Sequence, residues 1–385
     1  MDPIDQEGTN SRFPISSRME PDGQVTEWIA LLPHAHIELM FAPEAIINPL
    51  WVYDTATGET MNDKVQVSAA QFSSVFLDRK ATVQKALHIV AEAARAGSRL
   101  VVFPEAFIPG YPCWAWKISA GEDRRLQELY VEYLENAVSV PGPDVDELCR
   151  AARQNKINVV MGISERNDEA SRTSMFNSVL FIDEKGVLLG RRRKLVPTGG
   201  ERLVWAMGDG STLQTVDFPF GRVCALICWE NYMPLARYAM FVQGPQIYCA
   251  LTWDRGEPWI SSMRHIAREG GLFLISAGMA MHLEHLPERF GLKQLFDSQQ
   301  DDGWINGGDS VIVDTSGSMM AGPLHRQEGL LSAELDLRAG PGPKWELDVA
   351  GHYARPDVFQ LAVNRGEKPL VTYPFDCESS AGPSL

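Results

Sequence analysis

Three polar residues share one placement in this chain. Cys228 follows the apolar run Val223-Cys-Ala-Leu-Ile227, Glu105 follows Leu100-Val-Val-Phe103 and Pro104, and Lys194 follows the strand-like stretch 187–192. If those three strands are near neighbours pointing the same way, their side chains converge at one sheet edge. The chemistry open to such a trio is specific. A cysteine is a nucleophile as its thiolate, a carboxylate in hydrogen-bond reach can take the thiol proton, and a lysine holds positive charge against an anion forming on a substrate. The chain after Cys228 reads as the start of a helix, with Asn231 as N-cap, Pro234 in the first turn and Gly244-Pro245 at the end. A helix N-terminus there favours negative charge on sulfur. Each residue alone has a plain structural reading. A lone cysteine in an apolar run usually packs, as Cys224 on the same strand is expected to. A glutamate at a strand end is usually solvated, and Lys194, after three arginines, fits a basic turn. The coincidence of all three at strand ends shifts the weight toward catalysis.

The elements that must position these residues alternate from Lys64 onward. Strand patterns run at 65–70, 100–103, 158–164, 178–183 and 187–192, then at 213–218, 222–227, 246–252, 272–277, 308–314 and 329–336. Helical patterns run over 78–96, 123–138, 144–155 and 259–269. Turn chemistry at Asp183-Glu-Lys-Gly186 predicts a hairpin. Hairpin-linked strands in this number favour two sheets packed face to face with helices outside, rather than one parallel sheet. Residues 280–307 read as a long polar surface loop containing Trp304, near the site or at an assembly contact, and residues beyond Gly340 as irregular. His34-Ala-His36 and the pair His282 and His285 lack further ligands at metal-binding spacing.

Composition bounds the function. The chain has 385 residues, 45% hydrophobic content and a formal charge of −15, which disfavours nucleic acid or an acidic membrane surface as partner. Six cysteines without a C-x-x-C pair suit a reducing, cytoplasmic compartment rather than a disulfide framework. No apolar run is long enough to span a bilayer, and Met-Asp-Pro-Ile-Asp-Gln-Glu does not read as a secretory leader. Residues 1–60 hold ten acidic residues against Arg12 and Arg18. The expected organisation is an acidic, disordered extension over 1–62, a catalytic domain over 63–340, and a C-terminal extension over 341–385 that provides assembly contacts and then a disordered tail. Gly208-Asp-Gly210 lacks the third glycine and following helix of a dinucleotide fingerprint, and there is no Walker sequence.

Three segments together carry a resemblance: Phe103-Pro-Glu-Ala-Phe-Ile-Pro-Gly-Tyr-Pro112, Arg192-Arg-Lys-Leu-Val-Pro-Thr198 and Cys228-Trp-Glu-Asn-Tyr-Met-Pro-Leu-Ala-Arg237. In this order they resemble the signatures of the nitrilase superfamily. Cys-Trp-Glu-Asn and Pro-Thr-x-x-Glu-Arg look like its true nitrilase branch, and the similarity extends over about residues 64–365. The resemblance implies an α/β fold, a four-layer αββα sandwich that dimerises and builds larger spiral assemblies. It also implies Glu105 as general base, Lys194 as charged proton donor, Cys228 as nucleophile and Glu201 as a second glutamate positioning the lysine and substrate. Glu230 reads as a structural residue holding the turn. The implied reaction converts a small nitrile and water to a carboxylic acid and ammonia, without metal or cofactor. An amidase, a carbamoylase, or a nitrile-hydrating enzyme like cyanide hydratase would share the trio. Tyr111, Trp114, Trp205 and Trp253, with Phe107 and Trp116, are candidate pocket walls suited to an aryl or arylalkyl nitrile, and aliphatic nitriles also fit. Trp229 is a candidate substrate contact through its backbone N–H rather than its indole.

Overall fold

A computed structural model describes residues 64–368 apart from 120, 122 and 297–299. The expected acidic extension over 1–62 and most of the expected disordered tail lie outside the described residues. The first half of the fold comprises β1 (Lys64–Gln71), α1 (Arg79–Arg95), β2 (Leu100–Val102), α2 (Asp123–Glu135), α3 (Pro143–Asn155), β3 (Asn158–Arg166), β4 (Met175–Ile182) and β5 (Leu188–Arg193). The second comprises β6 (Val216–Phe218), β7 (Gly221–Ile227), α4 (Pro234–Phe241), β8 (Ile247–Thr252), α5 (Glu257–Gly270) and β9 (Phe273–Gly278). It continues with β10 (Ala280–His282), β11 (Trp304–Val313), β12 (Met319–His325), β13 (Gly329–Asp336) and α6 (Pro341–Glu346).

Two sheets result, ordered β13-β1-β2-β3-β4-β5 and β10-β11-β9-β8-β7-β6, with β12 beside β11. Strands β1, β2 and β3 are parallel, as are β7, β8 and β9; the flanking pairs are antiparallel. The period of two along each strand separates three apolar layers. Val65, Val67, Val102, Val160 and Phe181 of the first sheet pack with Val223, Ala225, Ile227, Leu251 and Ile275 of the second. The alternate residues of the first sheet, Val101, Val159, Met161 and Leu180, meet Val83, Ile89 and Val90 of α1 and Leu148 of α3. Cys224, Leu226, Tyr248 and Leu274 meet Met240 of α4 and Trp259, Met263 and Ile266 of α5. The layering is therefore αββα. Cys224 is a packing residue under α4 and α5, because it is one residue out of phase with Ile227.

Four expectations change. The three polar residues do not gather at one sheet edge: Glu105 and Lys194 follow strands of the first sheet and Cys228 a strand of the second, so the meeting point lies across the two sheets. The stretch 280–307 is not all surface loop. Ala280 and Met281 are fully buried, and β10 pairs with the start of β11, which begins at Trp304 rather than 308. Strand β12 carries Gly322-Pro323 and lacks an apolar alternation, so no strand pattern marks it; it forms by pairing with β11. Residues 341–346 form a short helix opening on Pro341. Among the described residues no helix is long and apolar enough to cross a membrane.

Pro104 to Ile108 leaves β2 and crosses β3 at Gly162, where an added Cβ would lie 2.0 Å from the Pro104 carbonyl oxygen. The crossing is fixed by Ile108 N–H donating to the Gly162 carbonyl (3.3 Å) and Ser164 N–H donating to the Ile108 carbonyl (2.7 Å). Gly162→Ala should lower the unfolding free energy by about 1–3 kcal/mol, the usual cost of overpacking. Gly342→Ala, in open space on a helix, should leave it unchanged or raise it by up to about 1 kcal/mol. Urea titrations of the two variants check the contrast.

Candidate active site

Strand β7 ends at Ile227, and the chain turns at once. Cys228 has φ +50°, in the left-handed region uncommon for a side-chain-bearing residue. A single 3₁₀ turn over Cys228–Tyr232 follows, and α4 starts only at Pro234 with Met233 as its N-cap. Asn231 is therefore not the N-cap. Its Nδ2 donates to the carbonyl of Cys228 (2.7 Å) and its Oδ1 accepts from Tyr248 Oη (2.8 Å), so it fixes the turn from within. Glu230, 1% exposed, reaches back to the Ile227 N–H (2.8 Å) and across to the Leu195 N–H (2.6 Å). Both Nη atoms of buried Arg192 donate to it as well, at 2.8 and 2.6 Å. The Glu230 carboxylate thus ties the cysteine turn to the residues on either side of Lys194.

Around Cys228 the structure brings together Glu105, Lys194 and Glu201, all 1% exposed. Lys194 Nζ donates to Glu105 Oε1 (2.8 Å) and to Glu201 Oε2 (2.7 Å). Glu105 also accepts from Asn177 Nδ2 on β4 (2.7 Å) and, through Oε2, from the Trp253 N–H just after β8 (2.8 Å). Glu201 accepts from Tyr111 Oη (2.8 Å) and from the Thr198 N–H (2.8 Å), within the 3₁₀ turn Gly199–Leu203. One acidic atom of each of Glu105, Glu201 and Cys228 lies within 4.8 Å of the other two. Such a set resembles a metal cradle, but the Lys194 ammonium already stands between its two carboxylates as the cation.

Burial governs the protonation states. It raises the Cys228 thiol well above its ordinary value, the negative Glu105 adds to this, and Lys194 only partly opposes it. The resting sulfur is therefore a neutral thiol, not the helix-stabilised thiolate expected from sequence. Burial and the charge of Glu201 push Glu105 up to about 7, against the pull of Lys194 and the Asn177 hydrogen bond. Burial alone would lower Lys194, but Glu105, Cys228 and Glu201 outweigh it and hold the ammonium charged. A thiol beside a carboxylate poised near neutrality, with a fixed ammonium at hand, can attack an electrophilic carbon while handing over its proton.

The candidate pocket residues separate. A cavity of about 190 Å³, walled by Trp116, Trp253, Leu283, Phe296, Trp304 and neighbours, connects to the cluster through two of its walls. Trp253 lines it while its N–H holds Glu105; Trp116 lines it while its Nε1 donates to Tyr111 Oη (2.9 Å). Tyr111 is stacked on Trp253, with ring centroids 4.3 Å apart. Phe107, Trp114 and Trp205 are in the packed core instead. Trp114 meets the edge of Tyr133, and Trp205 donates to Ser164 Oγ (2.9 Å), so they do not wall this cavity. The Trp229 indole is 52% exposed and donates to Asp254 Oδ2 (2.9 Å). Sequence reasoning missed Asn177; the one available signal was a lone amide inside the apolar run Met175–Ile182.

Residues 66–340 match the model of the family described as carbon-nitrogen hydrolase. The chain is 40% identical over 332 residues to the bifunctional nitrilase/nitrile hydratase NIT4B of Nicotiana tabacum, covering 84% of this chain and 94% of the relative. It is 39% identical over 320 residues to nitrilase 3 of Arabidopsis thaliana, covering 82% and 91%. Its fold is similar to the crystal structure of a carbon-nitrogen hydrolase from Helicobacter pylori G27, with a TM-score of 0.57, 19% identity and coverage of 74% and 93%.

Truncating one partner of a buried ion pair leaves the other charge uncompensated, at a cost of about 3–5 kcal/mol. Glu230→Ala, which strands Arg192, should therefore destabilise the protein by that amount in chemical unfolding. Glu334→Ala, at the exposed pair with Lys64, should cost less than about 1 kcal/mol.

Proposed function

Because the chain belongs to the nitrilase branch of the carbon-nitrogen hydrolase family, we propose that the cluster of Glu105, Lys194, Glu201 and Cys228 hydrolyses an organic nitrile to its carboxylic acid and ammonia. The observation that carries the reading is the Lys194 ammonium bridging two buried carboxylates beside the thiol. In the proposed sequence Cys228 Sγ attacks the nitrile carbon while Glu105 takes the thiol proton. Lys194 protonates the developing nitrogen anion and is reprotonated through Glu105, leaving a thioimidate. Water adds to its carbon as Glu105 accepts a proton. The tetrahedral species, once protonated on nitrogen, expels ammonia and leaves a thioester. A second water then releases the acid and restores the thiol. Glu201, held by Tyr111 and Thr198, is the positioning residue for Lys194. The Trp229 backbone N–H is a further candidate donor to the developing anion.

A second outcome uses the same residues. If the tetrahedral species expels sulfur instead of ammonia, the product is the amide. The activity named for the Nicotiana tabacum relative includes nitrile hydratase, so amide belongs in the product analysis. An amidase on this cluster would release ammonia from amides and leave nitriles untouched.

Self-association and compartment extend the reading. Trp345 and Phe359 are 83% and 77% exposed, large apolar side chains suited to contact with a second copy within the 341–385 extension. The five described cysteines are free thiols, which fits a reducing, cytoplasmic compartment. Trp345→Glu should shift the light-scattering mass toward smaller species; an unchanged mass would take that residue out of the contact.

A panel of nitriles and matching amides, scored together for ammonia, acid and amide, tests the main reading. Cys228→Ala should abolish turnover and Cys224→Ala should retain most of it; comparable activity in Cys228→Ala sinks the assignment. With Glu105 acting as a base from a value of about 7, kcat/KM for an uncharged nitrile should be low at acid pH, rise through about pH 7 and level above it. Glu105→Gln should lose at least about 10³-fold and the acid limb with it.

A further inference from the structure

The cavity that Trp116 and Trp253 connect to the cluster has an electrostatic character that aromatic walls alone do not require. Besides its rings it is lined by Lys117, Arg255 and Asp301. Asp301 is paired, accepting from Arg326 Nη2 at 2.8 Å. Lys117 lies over the Phe296 ring, 5.5 Å from its centroid, and Arg255 Nη1 donates to the Ile305 carbonyl (3.1 Å). Among the described residues neither cation forms an ion pair, whereas Arg191, Arg192, Arg193 and Lys194 all do. On a chain of net charge −15, two uncompensated cations at one opening form a local positive field directed against the protein's overall sign. The cavity is also compact. Its volume of about 190 Å³ is little more than the ~150 Å³ that encloses a benzene ring. None of Glu105, Lys194 and Cys228 lines it; the link to them runs through Trp253, whose N–H holds Glu105, and through Trp116, which holds Tyr111 against Glu201.

We propose that this opening is an anion subsite, so that the nitrile it admits carries a carboxylate at the end remote from the C≡N carbon, held by Lys117 and Arg255. The reading rests on the nitrilase function proposed above and narrows its substrate to a short cyano acid. Phe296 and Trp253 then line the path of the connecting carbons, while the two cations fix the far end and so orient the nitrile carbon toward Cys228. A neutral aryl nitrile fills the rings but leaves both cations unanswered.

The test compares 4-cyanobutanoate with the neutral 5-hydroxypentanenitrile. Binding is read from tryptophan fluorescence in full-length Cys228→Ala protein, since Trp116, Trp253 and Trp304 line the cavity. Ammonia release is read in the unmodified protein. The anion should bind at least tenfold more tightly at low salt, with the preference narrowing as NaCl rises. In Lys117→Gln/Arg255→Gln protein the anion-to-neutral ratio should fall toward one, while Arg255→Lys keeps most of it. Equal affinities, or a ratio that survives the double substitution, overturn the subsite. Because a ratio is scored, general damage to folding, which weakens both ligands, does not mimic the result. Should Cys228→Ala protein fold poorly, the kcat/KM ratio of the two nitriles in the unmodified protein makes the same comparison. Selective anion binding without ammonia release from either nitrile would uphold the subsite and reject the nitrilase reading. Turnover of both without preference would do the reverse.

Discussion

The ammonium of Lys194 between Glu105 and Glu201 is the interaction on which the rest of the site depends. Three charges sit where almost no water reaches, and each would be prohibitively costly alone. They are tolerable because every one of them is answered by hydrogen bonds. Glu105 accepts from the lysine, the Asn177 amide and the Trp253 N–H. Glu201 accepts from the lysine, the Tyr111 hydroxyl and the Thr198 N–H. One positive charge against two negative ones leaves the cluster anionic in a dry setting. Burial, reinforced by that excess, holds Cys228 as a thiol and lifts Glu105 to about 7. In the proposed reaction, the same burial and charge that keep Cys228 quiet at rest make Glu105 basic enough to activate it. A thiolate formed permanently here would add a second uncompensated negative charge.

Holding this cluster takes both sheets, which makes the interlock between them the next constraint. The lysine arrives on β5, an edge strand of one sheet, and the cysteine on β7 of the other. Apolar packing between the sheets sets their separation but not their lateral register. The Glu230–Arg192 pair does that. Its carboxylate is bonded to N–H groups on both sides, at Ile227 and Leu195, one residue from each reacting side chain. A buried bidentate pair between planar groups has a narrow geometric optimum, so a slide of one sheet against the other breaks three hydrogen bonds at once, two from Arg192 and one from the Leu195 N–H.

Much of this was legible in the sequence, for definable reasons. Most strands of both sheets are short apolar runs, which read directly, and Glu105, Lys194 and Cys228 were conspicuous because each is a polar residue placed just after a strand. Two sheets face to face with helices outside followed from the number of hairpin-linked strands, and the αββα sandwich from the family resemblance. What did not read were features set by tertiary contact. Strand β12 exists because β11 offers it an edge, and β10 because Ala280 and Met281 can be buried beside β11. Asn231 has the composition of an N-cap, but its amide is drawn to the Cys228 carbonyl by the left-handed turn there. The expectation of a ready thiolate failed for a related reason: pattern reading assigns a helix dipole but cannot weigh complete burial beside a carboxylate. Tryptophan positions were equally opaque, since Trp114 and Trp253 look alike in sequence while one packs in the core and the other walls a cavity.

The outcome of the proposed reaction turns on where one proton resides. In the tetrahedral species formed by water, carbon carries sulfur, nitrogen and oxygen, and whichever of sulfur or nitrogen is the better leaving group departs. An amine leaves only after protonation, whereas sulfur leaves readily as thiolate if a cation stabilises it. Glu105, protonated after activating water, is the acid within reach. A value near 7 means that it surrenders its proton to an amine readily but retains it long enough to be used. Lys194, held charged by both carboxylates, favours a departing thiolate. The anionic character of the cluster opposes that departure, because thiolate would form beside Glu201. Weakening the Glu201 side of the bridge would therefore raise the share of amide, and weakening the Glu105 side would slow both routes. In the proposed reaction the two carboxylates flanking one ammonium are thus not equivalent: Glu105 moves protons, and Glu201 weights which group leaves.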